Sequence, residues 1–293
     1  MNAFASSVAR LLFAALALLC LPAQAQSPDV LRRIAERGQI NIGYSEGAPP
    51  FSAKGPDGPA GFSLDLCAVI AERIKLELAR LDLRTRLIPV ASDQFNRAVQ
   101  AGTVDLLCAS VTDTAERRQV MSFSAPIFIS TVKLLTHHPH PFTTLSDLRG
   151  QTVVVLGRTP ADGIMQAYSR DNALDLRIVR ALNADDALSK LRLGQAAAWA
   201  RGEVLLRGAV ADLPDAASFR LLPTPIAPQP IAIAFAQDPK LQQLVDASFA
   251  HLVTSGRFAE LHDKWLVRPN PLARKGLSLP MSPELREAHA RFR

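Results

Sequence analysis

Cysteine is scarce. Of the three in 293 residues, Cys20 falls within an N-terminal apolar run, so Cys67 and Cys108 leave either one possible disulfide or two ordinary buried thiols. Long apolar stretches are absent after residue 25, where none approaches the ~18 consecutive residues that a membrane-spanning helix needs. Runs of basic residues are missing too. The net charge is +6 and the pI near 9.6, yet the lysines and arginines are dispersed, so the charge reads as a solubilising surface with a mild pull on anions and not as a nucleic-acid or membrane patch. No G-x-S-x-G occurs, no paired carboxylates gather at one place, and no histidine spacing converges on a metal. In His137-His138-Pro139-His140 the helical i, i+4 spacing is broken by Pro139 and Pro141, and the cluster reads as a polar connector.

What the sequence does have begins at its N-terminus. Arg10, the apolar run Leu11 to Leu21 and the Ala23-Gln24-Ala25 cleavage pattern describe a secretory signal peptide over residues 1–25, so the mature chain is expected to start at Gln26 in an exported, disulfide-permissive compartment. Leu19 stands before Cys20 where a lipoprotein signal wants a small residue, which argues against a lipid anchor. The remaining length suffices for a full core and two domains.

The most informative segment is Val104 to Arg117. The apolar run Val104 to Ala109 reads as a buried strand ended by Ser110-x-Thr112, with Asp113 as helix N-cap and Glu116 as its capping-box partner. Two hydroxyls, a helix start with free amides and the Arg117 guanidinium make a receptor for a small carboxylate, or else a capped surface helix with a solvated arginine. Such a constellation binds and supplies no nucleophile.

Strand and helix patterns alternate elsewhere. Gln39 to Tyr44, Arg84 to Pro89, Val153 to Val155, Arg177 to Val179, Ala196 to Trp199, Phe219 to Leu222 and Ile231 to Phe235 read as strands. Ser63 to Arg80, Gln94 to Ala101, Ala161 to Ser169, Asn183 to Leu193, Leu241 to Thr254 and Phe258 to Trp265 read as helices. The proline-rich run Pro223 to Pro230 is expected to interrupt the pattern. Alternation of this kind predicts an α/β fold.

The Pro49-Pro50-Phe51 loop, the Gly61-Phe62-Ser63-Leu64-Asp65 helix start, the receptor segment, Phe123-Ser124-Ala125-Pro126 and Leu148-Arg149-Gly150 occur in that order, and in this the chain resembles family 3 periplasmic solute-binding proteins of ABC importers for polar amino acids. The resemblance covers residues 29–268, and the tail 269–293 resembles that of the glutamate/aspartate-binding branch. It implies a type II periplasmic binding protein fold of two α/β lobes with a ligand cleft between them. Lobe I would comprise residues 26–131 and 230–268, and lobe II residues 132–229. Ser110, Thr112 and Arg117 match the residues that hold a ligand's α-carboxylate, Ser92 matches a hydroxyl contact, and Thr159 a contact from the second lobe.

Several positions depart from the family pattern. Gly202 stands where an aspartate usually takes the α-ammonium, and Glu203 either substitutes for it or begins a solvated helix. Ser45 and Phe95 replace two arginines that read a side-chain carboxylate in glutamate/aspartate relatives, and Ala48 replaces an aromatic platform. Arg158, at a family glycine, either adds an anion contact or lies on the rim. Pro230-Ile231 replaces a Tyr-Gly pair near the second crossover.

The implied function is capture of an amino acid or related small carboxylate in the periplasm by lobe closure, with delivery to the membrane permease subunits of an ABC importer. A monomer without cofactor, metal or nucleic-acid partner is expected. Two other readings are a diverged accessory or sensory module without an amino-acid ligand, and a periplasmic dehydratase-like enzyme with Glu203 as general acid.

Overall fold

The computed structural model describes residues 29–137 and 142–292. The expected signal peptide and the stretch from His138 to Pro141 lie outside the described residues.

Helix α1 (Val30–Arg37) starts on Asp29, whose carboxylate accepts from the Arg32 amide, and stops at Gly38, which takes the left-handed conformation at φ 69°. Strand β1 (Gln39–Tyr44) follows, then a small antiparallel sheet of β2 (Gly47–Ala48), β3 (Ser52–Gly55) and β4 (Gly58–Ala60). Helix α2 (Phe62–Glu77) turns Leu66, Cys67, Ile70 and Ile74 into the core. Strand β5 (Arg84–Pro89), α3 (Phe95–Gln100), β6 (Leu106–Thr112), α4 (Ala115–Arg118) and β7 (Ser122–Phe123) complete the first half.

A second series starts with the long strand β8 (Phe128–His137). It continues through β9 (Thr152–Leu156), α5 (Pro160–Asp171), β10 (Arg177–Ala181), α6 (Ala184–Arg192), β11 (Ala198–Gly202), α7 (Glu203–Val210) and β12 (Phe219–Leu221). The chain returns along β13 (Pro228–Phe235) to α8 (Pro239–Thr254), α9 (Arg257–His262), a π-helical turn over Asp263–Val267, and α10 (Pro283–Ala290).

The strands of both halves form one continuous sheet. In the first half β5, β1 and β6 run parallel and β13 joins β6 antiparallel; in the second, β10, β9 and β11 run parallel and β8 joins β11 antiparallel. Strands β8 and β13 pair with each other from Phe128↔Ile231 to Thr131↔Pro228, and this short ladder ties the halves together. Each half has its own apolar interior. Alternation along β9 sends Val153 and Val155 to one face with Met165, and Val154 and Leu156 to the other with Trp199 and Leu188. The first core joins α2, β1, β6, β13 and α8, and it also takes Val204 and Leu205 from α7 of the second half. A methyl group added at Gly208 of α7 would collide with the Pro49 carbonyl, so the two halves meet backbone to side face there.

The structure moves three expected boundaries. Strand β6 runs on to Thr112 and the N-cap of α4 is Thr114, whose Oγ1 accepts from the Arg117 amide at 3.2 Å. Asp113 is still held at the sheet edge, its amide donating to the Pro230 carbonyl at 2.8 Å, and its carboxylate pairs with Arg118 at 2.6 Å; the helix therefore starts one residue later. The prolines Pro228 and Pro230 do not interrupt the pattern but lie inside β13. Being two residues apart, they leave their missing N–H groups on one side of the strand while the Pro230 carbonyl remains in use. Strand β11 spans Ala198–Gly202 in place of Ala196 to Trp199, because Arg201 and Gly202 stay in register with Lys133 and Val132.

Cys67 of α2 and Cys108 of β6, both fully buried, form a disulfide with Cα atoms 6.3 Å apart. The tail packs as well. Leu285 of α10 is buried, and His289 lies edge-on to Phe258 with ring centroids 4.5 Å apart and its Nε2 2.7 Å from the Pro126 carbonyl oxygen. His262 sits in the same aromatic cluster, stacked on Phe128 at 6.2 Å, with Nε2 lacking a hydrogen-bond partner. Burial pushes its pKa down to about 4, with proximity to His289 adding to the effect and Asp263 opposing it.

Cys67→Ala combined with Cys108→Ala removes a bridge between residues 41 apart. A loop of that size corresponds to about 4 kcal/mol on the chain-entropy relation, and urea titration of the double variant should show a loss of that order. For His262, the unfolded chain takes up its proton near pH 6.5 while the folded chain stays neutral down to about 4. The unfolded state binds more protons across that window, so stability falls as pH drops through it, by on the order of 3 kcal/mol at the acid end. His262→Gln should flatten this slope in melts at successive pH values.

Candidate functional site

The C-terminal end of β6 carries Ser110 and Thr112, and the tight turn capped by Thr114 brings Arg117 back over the strand end, where its Nη1 donates to the Thr112 carbonyl at 3.0 Å. Arg117 is 7% exposed. Burial lowers its pKa from the usual arginine range, opposed by Glu116, because the charged form has lost water. From the same half, Ser45 follows β1, Ala48 sits in β2, Ser92 opens a 3-10 turn over Ser92–Gln94 and Phe95 begins α3.

The second half supplies the facing wall. Leu156 ends β9; Thr159 caps α5 by backbone position while its hydroxyl donates to the Leu156 carbonyl at 2.7 Å, leaving no side chain on the amides at the helix start. Arg201 and Gly202 end β11, Leu205 comes from α7 and Gln229 from β13. These residues line one cavity together with Ser45, Ala48, Ser92, Phe95, Ser110, Thr112 and Arg117. About 50 Å³ of it is open to the centres of water molecules, more than a single water requires.

Six of the eight residues expected at the site, Ser45, Ser92, Ser110, Thr112, Arg117 and Thr159, thus meet in a single cavity. Arg158 and Glu203 do not. Arg158 is on the outer rim, mostly exposed and 3.6 Å from Asp93 across the opening. Glu203 opens α7, and its carboxylate is occupied by Lys133 at 2.9 Å and Arg207 at 2.7 Å beside a separate groove. Burial raises its pKa, but the hydrogen bonds from Lys133 and Arg207 outweigh that, so the net shift is downward and the group stays ionised. It neither stands in for an aspartate at Gly202 nor offers a general acid.

Two polar residues of the lining escape sequence reasoning. With β11 expected to end at Trp199, Arg201 falls in a loop; period-two alternation from Trp199 along a longer strand is the signal that places it. Its guanidinium lies over the Trp199 ring, 5.4 Å from the centroid, and Nη2 donates to the Gly47 carbonyl at 3.2 Å. Nη1 is buried without a hydrogen-bond partner, and burial lowers the pKa to about 10. Gln229 belongs to the proline-rich run and so is hidden from strand patterns. A methyl group at Gly202 would stand 2.9 Å from its Oε1, so the Gln229 amide fills the space beside that glycine. Among the described residues no group of three His, Cys, Asp or Glu side chains is arranged to hold a metal ion.

Two α/β lobes joined by β8 and β13, with a polar and cationic cavity between them, define a solute-binding protein of the type II periplasmic fold. The chain belongs to the bacterial extracellular solute-binding proteins, family 3, whose pattern matches residues 40–268. It is 30% identical to the L-glutamate/L-aspartate-binding protein of Pseudomonas aeruginosa over 92% of this chain and 91% of the relative. It is 29% identical to the glutamate/aspartate import solute-binding protein of Salmonella typhimurium over 88% and 86% of the two chains. Among solved structures it resembles the P235GK mutant of the arginine-binding protein of T. maritima, with a TM-score of 0.71 and 25% identity over 80% of this chain and 98% of that one.

Proposed function

We propose that the protein captures an amino acid or related small carboxylate in the periplasm by closing its lobes, and hands it as a closed monomer to the permease subunits of an ABC importer. Ser110, Thr112 and Arg117 hold a carboxylate of the ligand, and Ser92, Ser45 and Thr159 add hydroxyls from both sides. The observation that carries this reading is the convergence of those six residues, drawn from two lobes, on one cavity. The names of the glutamate/aspartate import relatives support delivery to an importer.

On this reading lobe II is the insertion 132–229, lobe I comprises 26–131 and 230–268, and 269–293 is a tail packed on lobe I. Closure adds contacts outside the cavity. The Arg201 bond to Gly47 and the Arg158–Asp93 pair both cross the cleft, the second exposed enough to contribute little on its own. Removal of residues 1–25 as a signal peptide delivers the mature chain to the periplasm. No metal, cofactor or nucleic acid enters this scheme.

Arg117→Ala removes a charge that faces the cavity and little core volume. For whichever carboxylate the wild-type protein binds, calorimetry should show affinity weakened by about 3 kcal/mol or more while far-UV circular dichroism is unchanged. Wild-type affinity in the folded variant would sink the assignment.

A further inference from the structure

The charge balance of the cavity narrows the ligand class, on the footing that the cavity binds a small carboxylate at all. Its lining holds two guanidiniums, Arg117 and Arg201, and no aspartate, glutamate or histidine. The acids that pair near the site do so with other cations: Asp93 with Arg158, Asp113 with Arg118, Asp162 with Arg180, Glu203 with Lys133 and Arg207. Glu116, exposed and outside the lining, acts on Arg117 and not on Arg201. Glu46, at the neighbouring opening, is exposed and acts on Tyr44, and no ion pair joins it to Arg201 among the described residues.

Arg201 is therefore a buried cation without a counter-ion. It is 9% exposed, one of its terminal nitrogens has no hydrogen-bond partner, and its one hydrogen bond goes to a backbone carbonyl. A folded protein leaves such a group uncompensated only at a cost, and a bound anion removes it. The side-chain acceptors available to a ligand ammonium are neutral: the hydroxyls and the Gln229 amide beside Gly202. An ammonium there would be a third buried positive charge. Ala48, Phe95, Leu156 and Leu205 give the cavity an apolar part of its lining, suited to a carbon spacer.

We propose that the solute is a small dicarboxylate without an ammonium group, one carboxylate held by Arg117, Ser110 and Thr112 and the other by Arg201 with Ser45. Arg201 is the specificity-determining residue in this assignment, and Gly202 is where an ammonium finds no carboxylate.

The test uses the mature protein, disulfide intact, stripped of bound molecules by unfolding and refolding. Calorimetric titration compares succinate with aspartate, glutarate with glutamate, and butyrate as a single-carboxylate control, beside the other common amino acids. One of the diacids is expected to bind at least about tenfold more tightly than its amino-acid counterpart, because the counterpart must bury an unpaired ammonium. Arg201→Met removes the guanidinium while keeping a long unbranched side chain, and is expected to weaken the diacid at least about tenfold more than butyrate. An amino acid bound as tightly as the matched diacid, or more tightly than either diacid, overturns the dicarboxylate assignment and leaves the solute-binding reading standing. A panel in which nothing binds overturns both. The wild-type comparison decides the matter even if the variant does not fold.

Discussion

The ladder between Phe128–Thr131 and Pro228–Ile231 is the constraint on which the rest of the site depends. It is four residue pairs long, and both halves of the binding wall hang from it. On one side β13 continues into Ile231↔Thr112, which fixes the strand end that carries Ser110, Thr112 and the turn to Arg117. On the other, β8 continues into Val132↔Gly202, which fixes the strand end that carries Arg201. Gln229 and Ser130 face each other within the ladder itself. A slip of one residue would turn every side chain on these strands to the opposite face, so register here is register of the cavity.

From that ladder follows an electrostatic arrangement that makes sense only with a ligand present. Two arginines are drawn out of water into one small space, while Asp93, Asp162 and Glu203 pair with other cations and the exposed Glu116 acts on Arg117 from outside the lining. Buried charge of one sign is tolerated where something of the opposite sign arrives, and closure of the lobes around it then gains affinity from the difference between open and closed populations. The relatives named for glutamate and aspartate align with about nine-tenths of the chain, but an overall identity near 30% speaks for the scaffold and not for its lining. Here Ser45, Ala48, Phe95 and Gly202 occupy the cavity where small or apolar groups leave the arginines as its only charges.

Much of this was legible in the sequence. The alternation of strands and helices, the buried strand ending in Ser-x-Thr, and the position of Arg117 after it came from local patterns, and local physics produced them. What stayed hidden depends on partners far along the chain. Asp113 is an excellent N-cap in isolation, yet a hydrogen bond to Pro230, more than a hundred residues away, keeps it in the sheet. The prolines of β13 look like breakers until the side of the strand on which they lack donors is known. Arg201 reads as a loop residue unless β8 is there to extend β11, and neither the pairing of Cys67 with Cys108 nor the docking of the tail through Leu285 and His289 is encoded in spacing alone. Glu203 offered a tempting acid because the competing cations, Lys133 from a neighbouring strand and Arg207 one helical turn on, become relevant only in three dimensions.

The central claim, that the interlobe cavity is a receptor for a small carboxylate, is most directly tested by thermal-shift screening of the stripped mature protein against amino acids, their derivatives and simple carboxylates. A ligand at 100 times its dissociation constant adds about 2.7 kcal/mol of stability, which raises the melting temperature visibly. The account predicts such a rise confined to one class of small carboxylate and absent when the same compounds are added to Arg117→Ala. A panel without any rise, in a protein that has refolded with its disulfide intact, would contradict it.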